Sequence, residues 1–181
     1  MKKSALADRY CSIARAGALL VDAWTLMILK EVFLSNTRFD GLRSQTGMSP
    51  RSLTLRLNAL VDDGILERVA YQQSPERFEY RPTAKGIELW PVVVALKSWG
   101  DKWTGPWFDQ KPPLTLQHKG QDHPLEIGLI CKVCGQPVDA HSSQAIMSHA
   151  MCKERDQLAA EHEEVVRAGR PGKAAQGRRH S

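Results

Sequence analysis

The apolar positions of this chain change their period along its length, and each change marks an element. Leu20, Trp24, Met27, Ile28 and Val32 recur at helical spacing. They predict one face of a helix that starts at Asp22 as N-cap or slightly earlier. Phe39, Leu42 and the aliphatic stem of Arg43 suit a short second helix, followed by a turn around Gly47. A third helix opens at Ser49-Pro50, because serine caps free N–H groups and a proline in the first position has no N–H to lose. Leu53, Leu57, Leu60 and Val61 face inward along it, and Gly64 stops it as a left-handed cap.

The period then drops to two. Phe78 and Tyr80 alternate with Glu79 and Arg81, which predicts a strand paired with Leu66–Tyr71 across a loop containing Ser74-Pro75-Glu76-Arg77. Thr83 should cap a last long helix reaching about Trp103. Its apolar residues Ile87, Leu89, Trp90, Val92, Val93, Val94, Leu96 and Trp99 span too broad an arc for one buried stripe. Such a helix is expected to pack on its own domain and on a second copy of the chain. Pro91 should kink or divide it.

Helix, turn, helix and hairpin in that order describe a winged helix-turn-helix: a mainly α fold with a small β-hairpin wing. We expect this DNA-binding and dimerisation domain over residues 1–104. A small Cys/His-containing C-terminal appendage follows over 105–152, beginning at Gly105-Pro106. Residues 153–181 should hold a charged helical segment from Lys153 to Val166 and a basic tail too poor in apolar surface to fold.

Charge follows the same division. The net charge of +5 is concentrated at the two ends, and the stretch between about 104 and 164 is acidic. Basic ends suit nucleic-acid contact, since each Lys or Arg placed on a phosphate releases a counterion. The chain has no run of about 18 apolar residues, and Met1-Lys2-Lys3-Ser4 opens no signal-peptide pattern, so no membrane contact and a cytoplasmic location are expected. Four cysteines are too few for a disulfide scaffold.

In a recognition helix the N-terminal turns reach base edges while the opposite face sits in the core. With Leu53, Leu57 and Leu60 inward, Arg51, Ser52, Thr54, Leu55, Arg56 and Asn58 point outward or flank the helix. Arginine can donate two bonds to guanine, hydroxyls can bond bases or phosphates, and leucine can touch a thymine methyl. Ser49 joins this set at the helix start. Arg77 at the wing tip is placed for phosphates or a minor groove, and Arg38 and Arg43 sit where a helix-turn-helix crosses the DNA backbone. Arg56 has a second reading, a salt bridge to Asp62 or Asp63.

Cys11-Ser-Ile-Ala-Arg-Ala, Trp24-Thr-Leu-Met-Ile-Leu, Arg38-Phe-x-Gly-Leu-Arg, Ser49-Pro-Arg-Ser-Leu-Thr-x-Arg-Leu, Asp63-Gly-Ile-Leu-Glu-Arg and Thr83-x-x-Gly86 together resemble the HxlR family of bacterial transcription regulators. The resemblance covers about residues 8–104. It implies a homodimeric winged helix on an inverted-repeat operator, probing double-stranded DNA with helix 49–63 and wing 66–82, and it favours a repressor. The first and last helices would make the dimer. Two departures stand out: Val21-Asp22-Ala23 replaces the family's Gly-Gly-Lys, and Pro82 replaces a leucine at a strand end where proline is tolerated.

Family members that sense electrophiles or oxidants carry a cysteine near Cys11, with Arg9 and Arg15 here close enough in sequence to favour a thiolate. That makes Cys11 a candidate redox sensor and an electrophile or other small molecule a candidate inducer. A plain packing role competes with this, cysteine being a favoured small core residue. Cys131-Lys-Val-Cys134-Gly135 supplies two metal-ligand thiols and a glycine for the turn, so zinc is a candidate cofactor. His118, His123, His141, His149 and Cys152 could complete the set; an unmetallated turn and a dithiol redox pair are the other readings. Arg167-Ala-Gly-Arg170-Pro171-Gly172 and Arg178-Arg179 suit either a minor-groove arm or a tail of non-specific affinity.

Catalysis is not expected. A deaminase needs His-x-Glu ahead of Pro-Cys-x-x-Cys, and His123-Pro-Leu-Glu126 has the wrong spacing. No nucleophile triad order or phosphate-cradling glycine loop occurs. The competing non-enzymatic reading is a winged-helix protein-interaction module without specific DNA binding, which Arg51, Ser52 and Arg56 disfavour.

Overall fold

The computed structural model describes residues 6–20, 22–107 and 111–168. The expectations for Val21 and for the arginines at 170, 178 and 179 lie outside these residues. The elements run α1 (Ser12–Leu20), α2 (Ala23–Phe33), α3 (Phe39–Thr46), α4 (Pro50–Asp62), β1 (Leu66–Gln73), β2 (Glu76–Pro82), α5 (Ala84–Ile87), α6 (Trp90–Trp103) and α7 (His149–Ala168). This is a winged helix-turn-helix: three packed helices, α2 to α4, and a two-stranded antiparallel wing.

Local chemistry sets most boundaries as expected. Asp22 caps α2 by accepting from the Trp24 N–H at 3.0 Å. Ser49 caps α4 by accepting from the Ser52 N–H at 3.2 Å, with Pro50 in the first turn. Gly47 (φ 69°) and Gly64 (φ 66°) hold the left-handed conformation that ends α3 and follows α4. Thr83 caps the last helical segment, and Pro91 divides it: α5 closes at Ile87 and α6 restarts with the proline in its first turn. A continuous helix would lose the N–H of residue 91 and clash its ring against the preceding turn.

Leu53, Leu57 and Leu60 of α4 join Ile28, Leu29, Val32, Leu42, Met48, Ile65, Leu66 and Tyr80 in one core. The inward face of α2 differs from the expected one. Ile28 and Val32 are buried as expected, but Leu20 belongs to α1, because the chain breaks its helix before the Asp22 cap; Trp24 and Met27 are exposed, and Thr25 and Leu29 are buried in their place. Val61 is only half-buried. The charged segment expected from Lys153 is helical from His149 onward.

The wing is longer than the alternation shows. Leu66 to Gln73 pairs with Glu76 to Pro82, and the register shifts between Ala70 and Gln72, leaving Tyr71 as an extra residue. Gly86 lets α5 lie directly on the wing: a Cβ there would stand 2.1 Å from the Ile65 carbonyl oxygen.

Candidate nucleic-acid interface

The face of α4 opposite its leucines presents Arg51, Thr54, Leu55 and Asn58, all exposed. Their spacing of three to four residues puts them on one stripe of the helix. Thr54 and Asn58 form one wall of an open concavity of about 1010 Å³, with Arg38 at the start of α3 and Arg68, Tyr71 and Arg77 of the wing around it. A groove between a helix and a hairpin has the shape to straddle a DNA strand; Asp40, Glu76 and Glu79 line it beside the three arginines, so it offers discrete cationic contacts and not a net positive field. Arg43 lies on the other side of the turn, beside Ser44 and Gly47.

Aromatic rings set the direction of two of these arginines. The Arg38 guanidinium lies 4.4 Å from the Tyr71 ring centre, and that of Arg68 lies 3.4 Å from the Phe78 ring centre. Both keep their N–H edges for another partner, since stacking uses the flat face. Sequence reading missed Arg68 and Tyr71. The bulge that ejects Tyr71 toward Arg38 is invisible to an alternation pattern, although a basic residue on a wing strand was a signal available in the sequence. Among the described residues, Arg38, Arg43, Arg51, Arg68 and Arg77 form no ion pair with a carboxylate.

Other predicted site residues are engaged inside the protein. Ser49 and Ser52 hydrogen-bond each other through their hydroxyls at 3.0 Å, in addition to the cap. Arg56 donates to Asp22 Oδ2 at 2.6 Å, so its partner is neither Asp62 nor Asp63. That contact ties the middle of α4 to the N-cap of α2.

The α2–α3 corner is held by Glu31, which is buried. Burial opposes its ionisation, but the Asn36 side-chain amide donating at 3.0 Å and the Lys30 ammonium at 2.5 Å outweigh it and hold the carboxyl below its ordinary pKa. Gly41 leaves room for Asn36; a Cβ there would meet its Oδ1 at 2.1 Å. Glu79 closes the wing against the same corner, accepting from Thr37 at 3.3 Å and pairing with Arg81.

Cys11 is half-buried just ahead of α1, and the neighbouring Tyr10 N–H donates to Glu154 of α7 at 3.2 Å. Arg9 also meets Glu154 at 2.9 Å, as an ion pair out of hydrogen-bond alignment. At the other cysteines, the N–H groups of Cys134 and Val133, and then the Cys134 thiol, hydrogen-bond the Cys131 sulfur and hold that thiol below its ordinary pKa. Among the described residues, no three His, Cys, Asp or Glu side chains are already gathered as a metal site. No single described helix is long and apolar enough to cross a membrane.

A family model described as HxlR-like helix-turn-helix matches residues 19–107. An uncharacterized HTH-type transcriptional regulator of Mycobacterium tuberculosis is 37% identical over 131 residues, 72% of this chain and 82% of the relative. A crystal structure of a candidate transcription factor superposes with a TM-score of 0.71 at 25% identity, covering 80% of this chain and 99% of that one. Another, from Pseudomonas aeruginosa, gives 0.55 at 29% identity over 82% of this chain and 99% of its own.

Proposed function

Because this chain belongs to the HxlR-like helix-turn-helix family of transcription regulators, we propose that it works as a cytoplasmic homodimer that represses by occupying an inverted-repeat operator. The observation that carries the DNA reading is the groove between α4 and the wing, where Arg38, Arg68 and Arg77 form no ion pair among the described residues although Asp40, Glu76 and Glu79 also line it. Arg51, Thr54, Leu55 and Asn58 read base edges in the major groove. Arg38, Arg43, Arg68 and Arg77 hold phosphates and fix the register. Ser49 and Ser52 order the first turn of α4, and Arg56 sets its angle. No catalytic role is assigned to the chain.

The dimer reading rests on apolar surface that the monomer leaves open. Ile13 of α1 is 83% exposed, and Trp99 and Trp103 of α6 are 58% and 62% exposed. Three such large side chains on a domain's first and last helices are expensive to leave in water, at roughly 25 cal/mol per Å². A second copy burying them would set two recognition helices apart by a fixed distance. Nuclease footprinting on the DNA upstream of the coding region should then show two protected half-sites about one helical turn, roughly 34–36 Å, apart. Sedimentation should show a dimer. A single unpaired footprint, or none, would overturn the operator reading.

A further inference from the structure

Residues 111–147 contain no fully buried side chain, and Leu129, Ile130 and Val133 are 75%, 63% and 96% exposed. Hydrophobic burial therefore does not account for the defined shape of this segment, and small units of that kind use a metal or a disulfide. Its backbone holds two hairpins with the same outer pairs. Gln117 bridges Pro124, and Ile130 bridges Pro137. The Leu125 N–H donates to the Leu116 carbonyl at 2.7 Å, and the Val138 N–H donates to the Leu129 carbonyl at 2.9 Å. These outer pairs correspond at an offset of 13 residues; the turns inside them differ, the Gln121 N–H reaching the His118 carbonyl at 3.0 Å in the first and the Gly135 N–H reaching the Cys131 carbonyl at 2.7 Å in the second.

That correspondence places His118 where the second hairpin has Cys131, and Gln121 where it has Cys134. Gln121 is a poor zinc ligand, but His123 lies on the same hairpin with its ring stacked on His118, centres 6.1 Å apart. His123 Nδ1 is 2.9 Å from the Pro124 carbonyl oxygen. When Nδ1 carries the proton and donates to that oxygen, Nε2 is left as a lone-pair ligand, the arrangement common among metal-binding histidines. On the other hairpin, the Cys131 N–H is held by the Gln136 carbonyl at 2.9 Å and the Gly135 N–H by the Cys131 carbonyl at 2.7 Å, which fixes the turn that carries both thiols.

We propose that His118, His123, Cys131 and Cys134 form one tetrahedral site for a soft divalent cation, zinc by ligand chemistry, that clamps the two hairpins together. The spacings His-x4-His and Cys-x2-Cys both fall in the range of structural zinc sites. Among the described residues no three of these ligands are gathered here, so the proposed site requires the two hairpins to close on the ion. Only Glu126-Ile127-Gly128 links the hairpins, so Leu125 and Leu129 stay within about 14 Å whatever the link does. Gly128 has no neighbour crowding its Cβ position, which leaves that link free to turn. Metal binding displaces the thiol protons, two per ion, and orders the segment in the same step.

The test is a Co(II) titration of the full-length protein, followed by displacement with Zn(II). The expected result is one Co(II) per chain, with visible bands of tetrahedral geometry and thiolate-to-metal charge transfer. His118→Asn, His123→Asn and Cys134→Ser should each weaken binding by more than the roughly 10–100-fold that outer-shell changes cost. His141→Asn, His149→Asn and Cys152→Ser should bind as the wild type does. Zinc should also slow proteolysis within 111–147 of the unmutated protein, a readout that needs no variant to fold. An octahedral spectrum, wild-type affinity in either His118→Asn or His123→Asn, or loss of binding in a His141, His149 or Cys152 variant would overturn the proposal. So would unchanged proteolysis on adding zinc.

Discussion

Arg56 separates two accounts of the recognition helix, and the Asp22 contact makes the separation quantitative. Asp22 does two jobs: one carboxylate oxygen caps α2 through the Trp24 N–H, and the other accepts from Arg56 at 2.6 Å. The Asp22 and Arg56 side chains retain 37% and 29% exposure, so the pair is partly screened and contributes about 0.2–1 kcal/mol. Removing a good N-cap costs about 1 kcal/mol more, whereas asparagine caps nearly as well as aspartate. Asp22→Asn should therefore cost about 0.2–1 kcal/mol and Asp22→Ala about 1–2 kcal/mol. For a chain of this size each kcal/mol lowers Tm by about 2–4 °C.

Urea unfolding of Asp22→Asn, Arg56→Ala and the double variant closes a mutant cycle on the pair. The same Arg56→Ala protein should keep the wild-type salt dependence of DNA binding, because its guanidinium is committed to Asp22. A coupling energy of zero, or a salt slope lowered by about 0.9 as for a lost phosphate contact, would refute the positioning role and return Arg56 to the DNA face.

Three further outcomes follow from the fold. Gly86→Ala should cost about 3 kcal/mol or more by thermal unfolding, the upper end for overpacking, because the Ile65 backbone blocks the new methyl; Gly47→Ala, with open space but φ 69°, should cost only about 1–2 kcal/mol. Equal losses would contradict the distinction. Glu31 has a folded-state pKa below its ordinary value of 4.5, so its ionised form stabilises the fold above that pH, and the contribution disappears as pH falls through the lowered folded value. Glu31→Gln should flatten the acid side of a stability-against-pH curve below about pH 4.5; an unchanged curve would show that the Asn36 and Lys30 contacts do not act on the carboxylate. Arg77→Ala and Arg38→Ala should each weaken binding to all sequences alike and reduce the salt slope by about 0.9, measured by fluorescence anisotropy.

Features governed by a few adjacent residues were legible in the sequence. Asp22, Ser49-Pro50, Gly47, Gly64 and Pro91 act on backbone within one turn of themselves, so caps, stops and the division of the last helix could be read directly. The exposed face of α4 followed from Leu53, Leu57 and Leu60, because fixing three inward positions fixes the rest of the helix. Contacts between distant residues could not be read that way. Arg56 meets Asp22 across 34 positions, and sequence proximity pointed to Asp62 and Asp63 instead. Tyr71 under Arg38 depends on a bulge that alternation does not encode. The two C-terminal hairpins share their outer backbone pairs but little sequence, so His118 and Cys131 matched only once their backbones could be compared.

The most direct test of the DNA-reading account is the binding of wild-type and Arg51→Ala protein to an operator and to scrambled DNA across a salt series. The account expects wild-type binding to weaken steeply with salt and to prefer the operator. Arg51→Ala should lose about 1–3 kcal/mol of that preference, roughly 5–150-fold, while still binding scrambled DNA. Undiminished preference in Arg51→Ala, or wild-type binding that does not distinguish the two DNAs, would contradict the assignment of α4 as the element that reads sequence.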